Sequence, residues 1–311
     1  MSMKARIFFA KILLFGEYGI IEGAKGLSIP YPEYSGQLQV GGLSNPLRRA
    51  SNQNIRKFQQ YLQKTALSLD WKTLKTDLDQ GLAFISSIPQ GYGLGSSGAL
   101  VAALYHQYAL DKIPAKPTPN PKEMIALKKA FASMESFFHG QSSGLDPLNS
   151  YLQSPLLIQG KDRIETTEIP TAQPWGKGAI FILDTTTKRE TAPLVRFFLE
   201  KMNDQKFRNN SFHEFTAQTD HSILRLHGGQ WGALMQSVKR LSELSLQHFK
   251  PMIPKAFHQF WKSGLANDEY YLKLCGSGGG GFLLGFTADW EAMQKNNANY
   301  SIQAIHTFNC D

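Results

Sequence analysis

Pro89-Gln90-Gly91-Tyr92-Gly93-Leu94-Gly95-Ser96-Ser97-Gly98 is the stretch on which the reading of this chain turns. It joins the apolar run Gly81–Ile88 to the apolar run Ala99–Leu110. The first run predicts a buried strand stopped by Pro89, the second a helix. Gly91, Gly93 and Gly95 allow the backbone to turn sharply and to approach a ligand with no Cβ in between. Ser96 and Ser97 fall where the helix begins. The unpaired N–H groups and the positive dipole end at that point favour an anion. A triphosphate suits such a place, with the serine hydroxyls in reach of a phosphate or its magnesium ion. The same residues also suit an ordinary tight turn with a serine N-cap.

Two better-known glycine patterns do not apply. Gly93, Gly95 and Gly98 match GxGxxG, but so do Gly276, Gly278 and Gly281. A dinucleotide site would also need an acidic residue about 20 residues on, after a second strand. That region here reads LDKIPAKPTPNP, which is not a strand. The Walker sequence GxxxxGK[ST] is absent.

Moving outward, Asn120-Pro121 forms an N-cap and N1 pair for a helix that ends before Gly140. Met124, Leu127, Phe131, Met134 and Phe138 share one face, and Glu135 lies at its edge. A carboxylate there is either solvated or paired with a cation. Magnesium, bound through one or two carboxylates and phosphate oxygens, would serve. His139 to Pro147 reads as a polar, turn-rich loop, with Asp146 pushed toward an extended backbone by Pro147. Towards the N-terminus, residues 4–15 read as a strand, and Lys11 stands inside its apolar run between Ala10 and Ile12. A lysine so placed must snorkel, pair or lie at an edge.

Composition bounds the rest. The chain has 311 residues, 42% hydrophobic and 19% charged, enough for a sizeable core and usually for two domains. Cys275 and Cys310 are the two cysteines, and neither stands in a CxxC, so disulfides and structural zinc are not expected. Lys11 and Glu17 interrupt the N-terminal apolar run, and no stretch approaches the ~20 apolar residues of a membrane span. A cytoplasmic protein without membrane partners is the expectation. The net charge is +8 and the pI about 9.3, but Lys and Arg form no block, so small anions are expected rather than nucleic acid.

Residues 30–50 read as turns or short hairpin strands, 52–68 as a helix and 178–184 as a strand. Helical patterns run through 190–263. A strand at 269–275, a glycine-rich turn, a strand at 282–287, a helix at 288–297 and a strand at 301–308 follow. The polar, proline-bearing stretch 165–177 suits a boundary. Strands and helices intermix, which gives an α+β chain in two parts.

Three separated segments, 9–23 (FAKILLFGEYGIIEG), 89–100 (PQGYGLGSSGAL) and 273–284 (KLCGSGGGGFLL), resemble in order the three motifs of the GHMP small-molecule kinases. The mevalonate kinases are the most similar group. Residues 134–150 (MESFFHGQSSGLDPLNS) and 181–191 (FILDTTTKRET) resemble further segments of those enzymes. The resemblance implies a two-domain GHMP kinase fold. Residues 1–172 would form a ribosomal protein S5 domain 2-like domain that binds the nucleotide and carries the phosphate loop. Residues 173–311 would form a ferredoxin-like domain with a closing glycine loop.

The resemblance also implies ATP and Mg2+ as cofactors and transfer of phosphate to a small alcohol, mevalonate first. Gly91, Gly93, Leu94, Gly95, Ser96, Ser97 and Gly98 would hold the phosphates. Ser96, Ser97 and Glu135 would hold the metal. Asp146 would face the acceptor hydroxyl, with Lys11 and Thr191 beside it. Glu17, Tyr18, Gly144, Gly278 and Gly279 would line the acceptor side, the last two within the closing segment Gly276–Gly281. A homodimer is compatible with the resemblance.

The chain departs from the family pattern in having Phe9-Ala10 for Pro-Gly, Tyr18 for a common histidine, Gly98 for alanine, and Cys275 and Ser277 for threonine and alanine. Three alternatives stand beside the mevalonate reading. They are a kinase of phosphomevalonate or another small alcohol, a nucleotide-binding protein without catalysis, and an RNA-binding module.

Overall fold

A computed structural model describes residues 6–160, 162–188 and 191–310. Strand β1 (Phe8–Phe15) takes up the first apolar run and pairs antiparallel with β2 (Gly26–Gln39). Residues 30–50 were expected to hold turns and short strands. Instead β2 runs unbroken through Pro30, Pro32 and Gly36. The register explains how. Phe9 faces Ser35 but Ala10 faces Tyr31, so Pro32 falls in a bulge where no ladder N–H is needed.

Asn45 caps α1 (Pro46–Leu62), accepting hydrogen bonds from the N–H groups of Leu47 and Arg48. Helix α2 (Trp71–Asp79), which the sequence reading passed over, and β3 (Ala83–Ser86) follow. Then come α3 (Ser96–Tyr108) and α4 (Pro121–His139), the latter opened by a capping box between Asn120 and Glu123. Next are α5 (Leu145–Leu152), β4 (Leu156–Ile158) and β5 (Ile164–Thr166). On β2, one edge carries β1 and the other carries β4 and β3 at opposite ends. Helices α3, α4 and α5 pack together through Tyr105, Phe131 and Tyr151, whose rings meet edge-on at 5.0–5.4 Å.

Helix α5 corrects the expectation for residues 139–147. Asp146 is helical, in the first turn, and Pro147 follows it there. The preference against helix before proline is overridden because Pro147 sits where a helix has no N–H bond to lose. The first bond of α5 runs from Leu148 N–H to Gly144 O, at 3.2 Å.

The second sheet is built from β6 (Gly178–Asp184), β7 (Tyr271–Leu274), β8 (Phe282–Thr287) and β9 (Ile302–Phe308), in the order β7-β8-β6-β9. Between β6 and β7 lie α6 (Thr191–Met202), α7 (His213–His227), α8 (Trp231–His248) and α9 (His258–Asn267). A π-helical turn, Phe207–Phe212, leads into α7. Helix α10 (Trp290–Asn296) connects β8 to β9. The β-α-β-β-α-β succession with this strand order is ferredoxin-like. No helix among the described residues is long and apolar enough to cross a membrane.

Candidate active site

The site forms where β1, the glycine-rich loop 89–95, α3 and α5 meet. Lys11 is buried in β1, and its backbone N–H donates to Leu94 O at 3.0 Å, tying the strand to the loop. Leu94 turns its own side chain into the core. Lys11 Nζ reaches Asp146 Oδ1 at 2.9 Å. The sequence could not deduce this pair. It arises because α5 starts directly beneath the start of α3.

Two glycines make that approach possible. Gly95 is the N-cap of α3 at φ 76°, and a Cβ there would stand 3.2 Å from Lys11 Cγ and 3.5 Å from Asp146 Cβ. At Gly98 a Cβ would stand 2.8 Å from the backbone of Asp146 and Pro147. Alanine at 98 would push the two helices apart, which explains glycine there. Ser96 and Ser97 open the helix, and Gly91 and Gly93 lie in the loop before it with φ of 81° and 75°.

Glu135 is buried on α4 and accepts hydrogen bonds from Ser97 Oγ at 2.9 Å and Ser142 Oγ at 2.5 Å. Ser142 Oγ in turn accepts from Gly144 N–H at 3.0 Å. Ser97 Oγ also lies 3.0 Å from His139 Nε2. Burial, and then the negative charge of Asp146, push the Glu135 carboxyl up to about 7, against the pull of Ser142, Ser97 and Lys11. Glu135 and Asp146 thus share one electrostatic environment at the tip of α3. Buried carboxylates beside a helix start are a donor set that would suit a hard divalent ion shared with phosphate. No cluster of three or more metal-ligating side chains occurs among the described residues, and magnesium held partly by phosphate needs none.

The glycine segment 276–281 lies against the phosphate loop from the other half of the chain. Gly281 N–H donates to Thr187 O at 2.6 Å, and Gly281 O accepts from Thr185 N–H at 2.9 Å and Thr185 Oγ1 at 2.7 Å. Gly281 is so close to Tyr92 that a Cβ would stand 2.7 Å from the tyrosine Cα. Gly279 N–H donates to Met252 O at 2.6 Å, and Gly278 packs on the same carbonyl.

Glu17 and Tyr18 are placed elsewhere than at the α3 tip. Glu17 is buried against Lys273, and Tyr18 donates its hydroxyl to Ser277 O at 2.6 Å. Gly144 is the N-cap of α5 and packs against the α4 backbone. Thr191 opens α6, while its side chain, with Arg189 and Glu190, lies outside the described residues.

Sequence reasoning missed His139, Ser142, Tyr92 and Lys273. His139 stands four residues after Glu135, a helix-face neighbour by spacing. Lys273 stands in a buried strand as Lys11 does, so the reasoning applied to one lysine would have found the other.

The fold is shared with solved small-molecule kinases. Residues 55–153, about a third of the chain, match the GHMP kinases N terminal domain family. The matched span includes the phosphate loop, Glu135 and Asp146. Mevalonate kinase of L. major, solved in complex with R-mevalonate, is similar over 99% of this chain and 97% of its own, at 18% identity and a TM-score of 0.65. Streptococcus pneumoniae phosphomevalonate kinase, in complex with phosphomevalonate and AMPPNP, is similar over 98% and 99%, at 15% identity and a TM-score of 0.64. Lactococcus lactis galactokinase complexed with galactose is similar over 99% and 95%, at 13% identity and a TM-score of 0.58. A search of curated protein sequences found no match.

Proposed function

We propose that this protein transfers the γ-phosphoryl group of ATP to the primary alcohol of mevalonate, a step in isoprenoid precursor synthesis. The observation that carries the proposal is the Lys11–Asp146 pair, 2.9 Å apart, beneath the N-cap of α3. Phosphoryl transfer asks a protein mainly to position the groups and to neutralise charge. Gly91 to Gly98 and the N–H groups at the start of α3 hold the phosphates. Ser96, Ser97 and Glu135 are the residues that would hold Mg2+, which when bound supplies charge neutralisation at the phosphate oxygens. Asp146 receives the acceptor hydroxyl and orients it in line. Lys11 fixes the carboxylate and favours the developing alkoxide. Thr191 is proposed beside the same hydroxyl. The acceptor extends toward Gly144, Tyr18 and the glycines at 278 and 279, and Glu17 serves that side through Lys273.

The mevalonate complex among the structural neighbours supports this acceptor, and the phosphomevalonate complex at nearly equal TM-score keeps a second one in view. ADP release is to be measured with ATP and magnesium on mevalonate, 5-phosphomevalonate and galactose. Saturable, magnesium-dependent release with mevalonate is expected. Release with 5-phosphomevalonate alone moves the assignment to that acceptor. ATP-dependent thermal stabilisation without release on any alcohol makes the protein a non-catalytic nucleotide binder.

A further inference from the structure

A second buried lysine has no part in the chemistry at Asp146. Lys273 lies in β7, a strand buried along its whole length. Its Nζ donates to Glu17 Oε1, across from one sheet's half of the chain to the other, and to Leu274 O at 3.0 Å. The Phe15 ring centroid lies 5.5 Å away. Glu17 is sealed as completely as its partner. Taking both charges out of water is expensive, and a buried pair is weak evidence for stability but a known device for fixing register.

The next residue makes a second connection. Tyr18 adopts φ 57°, a left-handed conformation that a tyrosine keeps only when its surroundings impose it. Its ring is held by Phe198 at 4.7 Å and Phe249 at 5.9 Å, and its hydroxyl donates to Ser277 O at 2.6 Å. Consecutive residues of the N-terminal half therefore grip Lys273 and Ser277, on either side of Gly276, where the glycine segment begins. The far end of that segment, Gly281, is held by Thr185 and Thr187 against Tyr92 of the phosphate loop.

We propose that Glu17, Lys273 and the Tyr18 hydroxyl are positioning residues. They form a two-point latch that sets where the glycine segment 276–281 stands over the phosphate loop, and so the alignment of phosphate and acceptor. The effect on catalysis rests on the kinase reading; the effect on the segment does not.

The test uses the full chain with Glu17→Gln, Lys273→Met, the double variant and Tyr18→Phe. Each single charge removal leaves a buried charge without a partner, so those two variants melt well below the parent. The double variant strands no charge and regains most of the thermal stability, yet its kcat stays roughly 10- to 100-fold down, with the KM for ATP little changed. Tyr18→Phe keeps the ring packing and the melting temperature and shows a smaller fall of the same kind. Amide hydrogen exchange in residues 276–281, followed by mass spectrometry without nucleotide, speeds up in the double variant and in Tyr18→Phe. A double variant with parental kcat and parental exchange overturns the latch. If the parent releases no ADP from any alcohol, the kinase reading falls and exchange alone decides: faster exchange upholds the latch, unchanged exchange removes it.

Discussion

Among the described residues, Lys11 and Lys273 stand inside apolar strands, and each is paired with one carboxylate. The partners differ. Asp146, opposite Lys11, keeps 36% of its side chain exposed, whereas Glu17, opposite Lys273, keeps 3%. A carboxylate held by a lysine but open on one face can receive a substrate hydroxyl. One sealed on every side can only hold protein to protein. Burial of the carboxylate, more than the presence of a lysine, separates chemistry from architecture here.

Substitution at the two carboxylates should therefore give opposite profiles. Asp146→Asn is expected to lower kcat by roughly 10²- to 10⁴-fold, the range of a lost acid–base group. The carboxamide still accepts from Lys11, so nucleotide affinity by titration and the melting temperature should stay close to the parent. Turnover within a few-fold of the parent would remove Asp146 from the chemistry.

At the sealed pair the larger effect moves to stability. Glu17→Gln should cost about 3–5 kcal/mol in denaturant unfolding, because it leaves the Lys273 charge buried without its partner. A loss below about 1 kcal/mol would mean that water reaches Lys273 and that the two pairs are alike.

Glu135 sharpens the contrast from the open side. Burial, and then Asp146, push its carboxyl up to about 7, against about 4.3 in the unfolded chain. Between those values the folded protein keeps a proton that the unfolded chain gives up. The stabilisation is whole below the unfolded value and is lost as pH rises through about 7. Thermal melts without magnesium should fall between about pH 4.3 and pH 7 in the parent, and less steeply in Glu135→Gln. Equal slopes in both would place the titration elsewhere.

Much of the fold was legible because the local signals were strong. The capping pair Asn120-Pro121, the apolar face of α4 and the runs at 178–184 and 282–287 all formed where the sequence placed them. Two of the failures share a cause. Pro32 argued against a long strand, and Pro147 against a helix, but a bulge and a first helical turn are the places where proline removes no needed hydrogen bond.

At the site, the loop and each charged residue were readable one at a time. Their convergence was not, since Lys11 and Asp146 are 135 positions apart and meet only through the α3–α5 crossing at Gly98. Lys273 was overlooked although it carried the same signal as Lys11.

The most direct measurement is a crystal structure with a non-hydrolysable ATP analogue, magnesium and mevalonate. The expected result has the triphosphate on the N–H groups at Ser96 and Ser97, and the acceptor oxygen beside Asp146 at roughly 3–3.5 Å from the γ-phosphorus. A triphosphate bound away from the α3 tip, or an acceptor hydroxyl out of reach of Asp146, would contradict the assignment.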